Sequence, residues 1–99
     1  MNYTYQSISQ RYEGVYSATT NDITADFNSG VGIANYCNHG TKDSWVIADF
    51  NTTCVNNLTN DYKLPFIWSS ACYNGQFDYD ECFAESWQRA VNPATGAPT

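Results

Sequence analysis

"VGIANYC" (residues 31–37) and "LPFIWSSAC" (residues 64–72) are the two stretches that decide the fold of this 99-residue chain. Both are short, nearly continuous apolar runs, which are typical of β-strands covered on both faces. The segment between them is long enough to hold a helix, and crossovers of that kind join parallel strands. We therefore predict that the two strands are parallel neighbours in one sheet.

Helix-like segments precede, separate and follow these strands. The first should span residues 20–30, opening on side chains that cap helices and closing on a glycine. The second should be capped by Thr52 or Thr53, and the third should open at Asp78 or Asp80. The third has the strongest helical periodicity, in five apolar residues that share one face: Phe83, Ala84, Trp87, Ala90 and Val91.

A further strand is predicted near the amino terminus, at Tyr3–Tyr12. Strands that alternate with helices along a chain indicate an α/β fold, with a parallel sheet and helical crossovers. In such folds the functional sites lie beyond the carboxyl ends of the strands, where the loops diverge. The ends of the two central strands are therefore the places to look for chemistry.

Composition and charge narrow the function classes. A chain of 99 residues forms one domain or part of one, and 42% hydrophobic with 16% aromatic residues is enough to fold. The net charge of −6 argues against nucleic acid or an anionic membrane surface as a partner. No apolar stretch approaches the roughly 18 residues of a membrane span.

Four cysteines raise the question of metal or disulfide chemistry: Cys37, Cys54, Cys72 and Cys82. None of them forms a close C-x-x-C pair, and the chain has a single histidine, so a structural metal site is not expected. A small secreted disulfide scaffold remains an alternative, although the long periodic segments do not favour it.

The single histidine, His39, follows the first central strand, and Cys72 ends the second. A cysteine thiolate is a strong nucleophile, and a nearby histidine can generate it or protonate a leaving group. Gly40 and Gly75 lie close by, and glycine lets the backbone approach a substrate closely. Equally, a lone histidine can be a turn residue and a cysteine a small buried hydrophobe, and spacing alone does not decide between these interpretations.

Three longer stretches resemble a known family: "IANYCNHGTKDSW", "LPFIWSSACYNGQFDYDECFAESWQRA" and the closing "PATGAPT". They look like the catalytic domain of the gingipain-type cysteine peptidases, which belong to the caspase-like group. The resemblance runs from about Tyr5 to Pro98. It implies a three-layer caspase-like α/β sheet with helical crossovers, of which residues 1–99 would be an incomplete fragment.

The resemblance assigns roles to particular residues. It makes His39 the catalytic histidine and Cys72 the nucleophile, with the backbone N–H groups of Gly40 and Cys72 as the oxyanion hole. It suggests Trp45 as a wall of the substrate pocket, although core filling is an equal alternative. The implied activity is that of a cysteine endopeptidase acting on protein or peptide substrates.

The sequence also departs from the family. Lys42 stands three places after the histidine, where gingipains carry an acidic residue, so a preference for basic substrates is not implied. The acid that orients the histidine comes from upstream segments in the family, so the isolated fragment is expected to be inactive. Cys37 and Cys54 are interpreted as small buried hydrophobes, and Cys82 as a packing residue.

Several expectations concern partners, ions and location. The family implies a bacterial protein that is secreted or at the cell surface, and an incomplete sheet would favour self-association of the fragment. No cofactor is expected, and structural calcium in the full-length protein remains an alternative. Four carboxylates near the third helix are interpreted as helix-dipole partners rather than calcium ligands: Asp78, Asp80, Glu81 and Glu85. The alternative function is a non-catalytic caspase-like binding or export module.

Overall fold

The computed structural model describes residues 9–10, 18–78 and 80–99, which form three helices, four strands and one 3₁₀ turn. The helices are α1 (Thr20–Ser29), α2 (Thr52–Asn56) and α3 (Phe83–Arg89). The strands are β1 (Ile33–Cys37), β2 (Ser44–Trp45), β3 (Phe50–Asn51) and β4 (Phe66–Ser70). The strand predicted at Tyr3–Tyr12 lies outside the described residues, apart from residues 9 and 10. Among the described helices, none is long and apolar enough to cross a membrane.

The two central strands, β1 and β4, pair in parallel as predicted. Their register runs from Ile33 opposite Phe66 to Cys37 opposite Ser70. Both strands are shorter than the apolar runs that predicted them, because the flanking residues enter the loops at either end. The parallel pairing brings the two carboxyl ends to the same edge of the sheet.

Helix α1 begins and ends close to the predicted positions, although its N-cap is Thr19, one residue before the predicted capping side chains at residues 20–22. The Thr19 side chain accepts a hydrogen bond from the Asp22 backbone N–H, and the Asp22 carboxylate accepts one from the Thr19 N–H. This reciprocal capping box satisfies two of the free N–H groups in the first turn. Gly30, with φ +93°, ends the helix.

The predicted caps of the other two helices are wrong. The Asn51 side chain caps α2 by accepting a hydrogen bond from the Cys54 N–H at 3.1 Å. Thr52 does not cap the helix because its hydroxyl donates to the Asp43 carbonyl oxygen. Helix α3 begins after Cys82 rather than at Asp78 or Asp80, and Glu85 reaches back to accept from the Cys82 N–H at 2.8 Å.

Strands β2 and β3 form a small antiparallel hairpin that the sequence patterns do not predict. A 3₁₀ turn at Ile47–Asp49 joins them, with Ala48 in the left-handed region at φ 62°. Each strand has two residues, too few for a visible alternation of apolar and polar side chains. The hairpin places Trp45 and Phe50 side by side in the core.

The core is a cluster of aromatic and aliphatic side chains between the hairpin, the helices and one face of the β1–β4 sheet. Its buried members are Phe27, Trp45, Phe50, Val55, Leu58, Phe83 and Ala90. Trp87 packs against it with its ring centroid 4.9 Å from that of Phe27, as predicted for a core-facing helix residue.

The expectation that both faces of the central strands are covered is wrong for the described residues. Ile33, Phe66 and Trp68 are 41%, 63% and 61% exposed, so the prediction of a core position for Trp68 also fails. Cys37 is exposed as well, contrary to its prediction as a buried hydrophobe, because it shares this outer face.

The remaining cysteines are placed more nearly as predicted. Cys54 is partly buried, and Cys82 is 1% exposed, which confirms its packing role. The structure contains all four cysteines in its described residues as free thiols, which argues against the disulfide-scaffold alternative.

Candidate active site

The carboxyl edge of the β1–β4 sheet brings together the two segments that the sequence singled out. The last residue pair of the sheet joins Cys37 and Ser70, and His39 and Cys72 each follow two positions later. Both side chains are exposed. The histidine and the cysteine therefore follow the two strands by the same number of residues, at the same edge of the sheet.

The backbone around His39 is held from two sides. Its carbonyl oxygen accepts from the Tyr36 hydroxyl at 2.6 Å and from the Val46 N–H at 3.1 Å. Its own N–H donates to the Asn38 side chain at 2.7 Å. Tyr36 is the strand residue that orients this segment, and its ring stacks on Trp45 at a centroid distance of 4.6 Å. The loop is thus fixed while the imidazole stays accessible.

The residues after the histidine form a tight, polar loop. The Thr41 N–H donates to the Ser44 carbonyl oxygen at 2.9 Å, and the Thr41 hydroxyl donates to the Asp43 carboxylate at 2.8 Å. The Thr41 hydrogen bond holds the pKa of the Asp43 carboxyl below its usual value. Lys42 pairs with Asp43 at 3.4 Å on the exposed side of the loop.

Gly40 is the point where the histidine loop touches the cysteine segment. A Cβ atom built at this glycine would lie 2.6 Å from the Ala71 Cβ and 2.9 Å from the Cys72 carbonyl oxygen. Both are too close for any side chain, and neither neighbour is the end of a flexible chain. The close approach needs glycine here, whereas a Cβ at Gly75 would meet open space.

Cys72 starts a turn that runs through residues 72–75. Tyr73 adopts the left-handed conformation at φ 60°, and its carbonyl oxygen accepts from the Gln76 N–H at 3.1 Å. Such a conformation is uncommon outside glycine and is concentrated at functional sites. The turn leaves the Cys72 side chain exposed at the edge of the sheet.

Asn74 belongs to the site although it is neither a nucleophile nor a base, and the sequence patterns did not predict its role. It is 5% exposed, and its side-chain amide donates to the Thr41 and Ser44 carbonyl oxygens at 2.6 and 3.1 Å. The sequence offered one signal, the place of Asn74 in the "ACYNG" motif two residues after Cys72. Because buried polar side chains need hydrogen-bond partners, the burial of this asparagine in the structure explains its contacts.

The first turn of α3 forms hydrogen bonds to both the histidine loop and the cysteine turn. The Phe83 N–H donates to the Lys42 carbonyl oxygen at 2.6 Å, and the Ala84 N–H donates to the Asn74 carbonyl oxygen at 2.9 Å. These N–H groups have no partner inside the helix, so the loops satisfy them. The helix thus anchors the histidine loop and the cysteine turn at neighbouring points.

Of the two alternatives for Trp45, the structure supports core filling. Trp45 is 3% exposed and offers almost no surface to a substrate, so its predicted place in a pocket wall is wrong. Its Nε1–H donates to the Ser69 hydroxyl at 2.9 Å. Within residues 9–10, 18–78 and 80–99, no three acidic, cysteine or histidine side chains come together as a metal site.

Comparison with known sequences decides the family. The profile of peptidase family C25 matches residues 1–98. The chain belongs to peptidase family C25. Gingipain R2 of Porphyromonas gingivalis is 42% identical over 98 residues, which are 98% of this chain and 13% of the relative. Lys-gingipain of the same species is 36% identical over 89 residues, which are 86% of this chain and 5% of the relative.

Solved structures agree with the sequence match. The crystal structure of the Arg-specific cysteine proteinase gingipain R is similar with a TM-score of 0.78 and 42% identity, covering 84% of this chain and 19% of that one. A complex of the RgpB pro- and mature domains gives 0.78 at 44% identity, covering 84% and 19%. The resemblance and the caspase-like α/β class are confirmed. The chain spans less than a fifth of the length of these relatives.

Proposed function

We propose that this chain carries the Cys72–His39 dyad of a cysteine endopeptidase. The observation that carries the proposal is the contact of the two loops at Gly40. The close approach at Gly40 and the parallel register bring the segment after His39 against the segment that holds Cys72. Membership of family C25 makes peptide-bond hydrolysis the reaction to expect at such an edge.

Each group has a chemical task in this proposal. The Cys72 thiolate attacks the scissile carbonyl carbon, and the negative charge that develops on its oxygen is stabilised by the N–H groups of Gly40 and Cys72. Neither of these N–H groups donates to another described residue, which leaves both available. His39 protonates the leaving amine, and water then releases the acyl group from the sulfur.

The substrates proposed are proteins and peptides, without a required basic residue at the cleavage site. Lys42 lies in the histidine loop, three places after His39, and pairs with Asp43 at 3.4 Å. A lysine in place of an acidic residue removes a carboxylate that would attract an arginine or lysine side chain of a substrate. We also propose that the complete protein is secreted or at the bacterial cell surface, which fractionation of the producing cells would test.

The test uses the full-length protein with a fluorogenic casein substrate. We expect Cys72→Ala to lower the rate roughly 10³-fold or more, because the nucleophile is lost. His39→Ala should lower it by about 10²–10⁴-fold, because the leaving amine then lacks its acid. The matched control is Cys37→Ala, which removes the other exposed cysteine of the sheet and should keep the wild-type rate.

Two results would overturn the proposal. Full activity in Cys72→Ala would show that this thiol is not the nucleophile. A wild-type protein that folds but cleaves neither casein nor peptide libraries would favour the non-catalytic binding or export module. The isolated 99-residue chain is expected to be inactive in the same assay, because most substrate contacts lie in the longer protein.

A further inference from the structure

We propose that Asn74 is a positioning residue that holds the Cys72 turn against the His39 loop in the reactive geometry. The inference rests on the proposed peptidase function, and it assigns a task to a residue that is neither nucleophile nor base. Asn74 lies two positions after Cys72 and is almost fully buried, with 5% of its surface exposed.

The amide nitrogen of Asn74 bridges the two loops. It donates to the Thr41 carbonyl oxygen at 2.6 Å and to the Ser44 carbonyl oxygen at 3.1 Å, both in the histidine loop. It also lies 3.5 Å from the Cys72 carbonyl oxygen within its own turn. One side-chain nitrogen therefore contacts the backbone on either side of the site.

The amide oxygen of Asn74 connects the two loops to the core through a hydrogen bond to Ser69. It accepts from the Ser69 hydroxyl at 2.8 Å, and that hydroxyl in turn accepts from the Trp45 indole N–H at 2.9 Å. Ser69 is on β4, and Trp45 is on the hairpin that follows the histidine loop. The orientation of the amide is thus fixed by Ser69 on β4, whose hydroxyl is held in turn by Trp45 on the hairpin.

The side chain of asparagine combines a donor and an acceptor, and both are used here. Its nitrogen donates to two carbonyl groups while its oxygen accepts from a hydroxyl. An aspartate keeps the acceptor but turns a carboxylate toward the carbonyl oxygens of Thr41 and Ser44. An alanine removes the Asn74 donor from both carbonyl oxygens: that of Ser44 keeps its hydrogen bond from the Thr41 N–H, whereas that of Thr41 loses its bond across the two loops.

The hydrogen-bond bridge lies between the groups that the reaction needs to have aligned. The thiolate and both oxyanion donors belong to segments that Asn74 joins. A displacement of about 1 Å between reacting groups can lower a rate 10²-fold even when substrate binding is unchanged. We therefore expect loss of the bridge to affect turnover rather than affinity.

The experiment measures kcat and KM of full-length Asn74→Ala, Asn74→Asp and Ser69→Ala with a fluorogenic peptide, below the melting temperature of each variant. We expect kcat to fall about 10–100-fold in Asn74→Ala, with KM within about threefold of wild type. Asn74→Asp, which has the same shape, should not restore kcat, because the donor is still missing. Ser69→Ala should cause a smaller fall in kcat in the same direction and remains informative if the Asn74 variants fail to fold.

The matched control is Asn92→Ala. Asn92 is also 5% exposed, and its amide donates to Asp61 at 2.7 Å and accepts from the Ala94 N–H at 2.9 Å, in the carboxyl-terminal tail. This variant should be destabilised and keep the wild-type kcat. An equal loss of kcat in Asn92→Ala would assign the effect to general destabilisation and overturn the positioning role.

The outcomes separate this inference from the proposed function. Activity that survives in Cys72→Ala contradicts the dyad itself. An inactive Cys72→Ala together with wild-type kcat in Asn74→Ala and Ser69→Ala keeps the dyad and overturns the inference alone. A loss that appears only as a raised KM would also overturn it, because the bridge would then act on binding.

Discussion

The two faces of the β1–β4 sheet carry similar side chains but have different surroundings. On the inner face, Ala34, Tyr36 and Ile67 pack against the aromatic core. On the outer face, Phe66 and Trp68 are more than half exposed. Apolar composition therefore marks which side chains can be buried, and the presence of a packing partner decides which are buried.

The outer face is where the rest of a longer protein is expected to lie. The gingipain relatives are much longer than this chain, which covers 13% of gingipain R2. Monomeric proteins rarely leave large contiguous apolar patches exposed. We expect the outer face to be covered in the full-length protein and to drive self-association of the isolated chain.

The largest effect should come from a matched pair of phenylalanines in the isolated chain. Phe50 is 0% exposed and belongs to the core, whereas Phe66 is 63% exposed on the outer face. We expect Phe50→Ala to lower the free energy of unfolding by about 3–5 kcal/mol. Phe66→Ala should lower it by about 0.5 kcal/mol or less. Urea unfolding at a concentration where the chain is monomeric measures both, and equal losses would show that the outer face is packed within the monomer.

A second pair tests the contact at the carboxyl edge of the sheet. Gly40→Ala places a methyl group 2.6 Å from the Ala71 Cβ, and we expect it to lower the free energy of unfolding by about 1–3 kcal/mol. Gly75→Ala has no heavy atom within 4 Å of its added carbon and should be nearly neutral. Thermal unfolding of both variants is the measurement. A neutral Gly40→Ala would mean that the two loops are not in contact.

A third prediction concerns association through the outer face. Trp68→Ser removes a large exposed side chain from that face, so the mass of the isolated chain by light scattering at high concentration should fall toward that of the monomer. The control is Tyr62→Ser, since Tyr62 is 74% exposed but lies outside the sheet. The idea is contradicted by a monomeric wild-type chain, or by an equal effect of both variants.

The smallest effect should be the pH dependence of α3, which packs on the side of the sheet away from the outer face. The Cys82 backbone N–H holds the pKa of the Glu85 carboxyl below its usual value of 4.5. A lowered folded-state pKa stabilises the fold above pH 4.5, and this contribution is lost as the pH falls through the folded-state value. Urea unfolding between pH 3 and 6 should show a slightly weaker pH dependence in Glu85→Gln. An unchanged dependence would mean that this capping bond is absent in solution.

Sequence patterns predicted the elements whose signals are local. Continuous apolar runs located β1 and β4, and their crossover predicted parallel pairing because few other connections are available. The start of α1 followed from side chains that cap helices next to an apolar periodicity. The resemblance placed His39 and Cys72, and the structure sets both at one edge.

The features that the sequence did not predict depend on residues far apart in the chain. The two-residue strands of the hairpin exist because Trp45 and Phe50 fill the core. Asn51 caps α2 because Thr52 is engaged by Asp43, nine residues earlier. The task of Asn74 appears only when its partners, 30 and 33 residues away, are brought beside it.

The most direct test of the account is the link between alkylation of Cys72 and loss of activity in the full-length protein. Cys37 and Cys72 are both exposed in this chain, so exposure alone predicts that iodoacetamide modifies both. We expect mass-spectrometric mapping to find Cys72 modified fastest, with peptide hydrolysis falling in proportion and a peptide substrate slowing the reaction. Hydrolysis that persists after complete modification of Cys72, or that falls with modification of Cys37 instead, would contradict a dyad at this edge of the sheet.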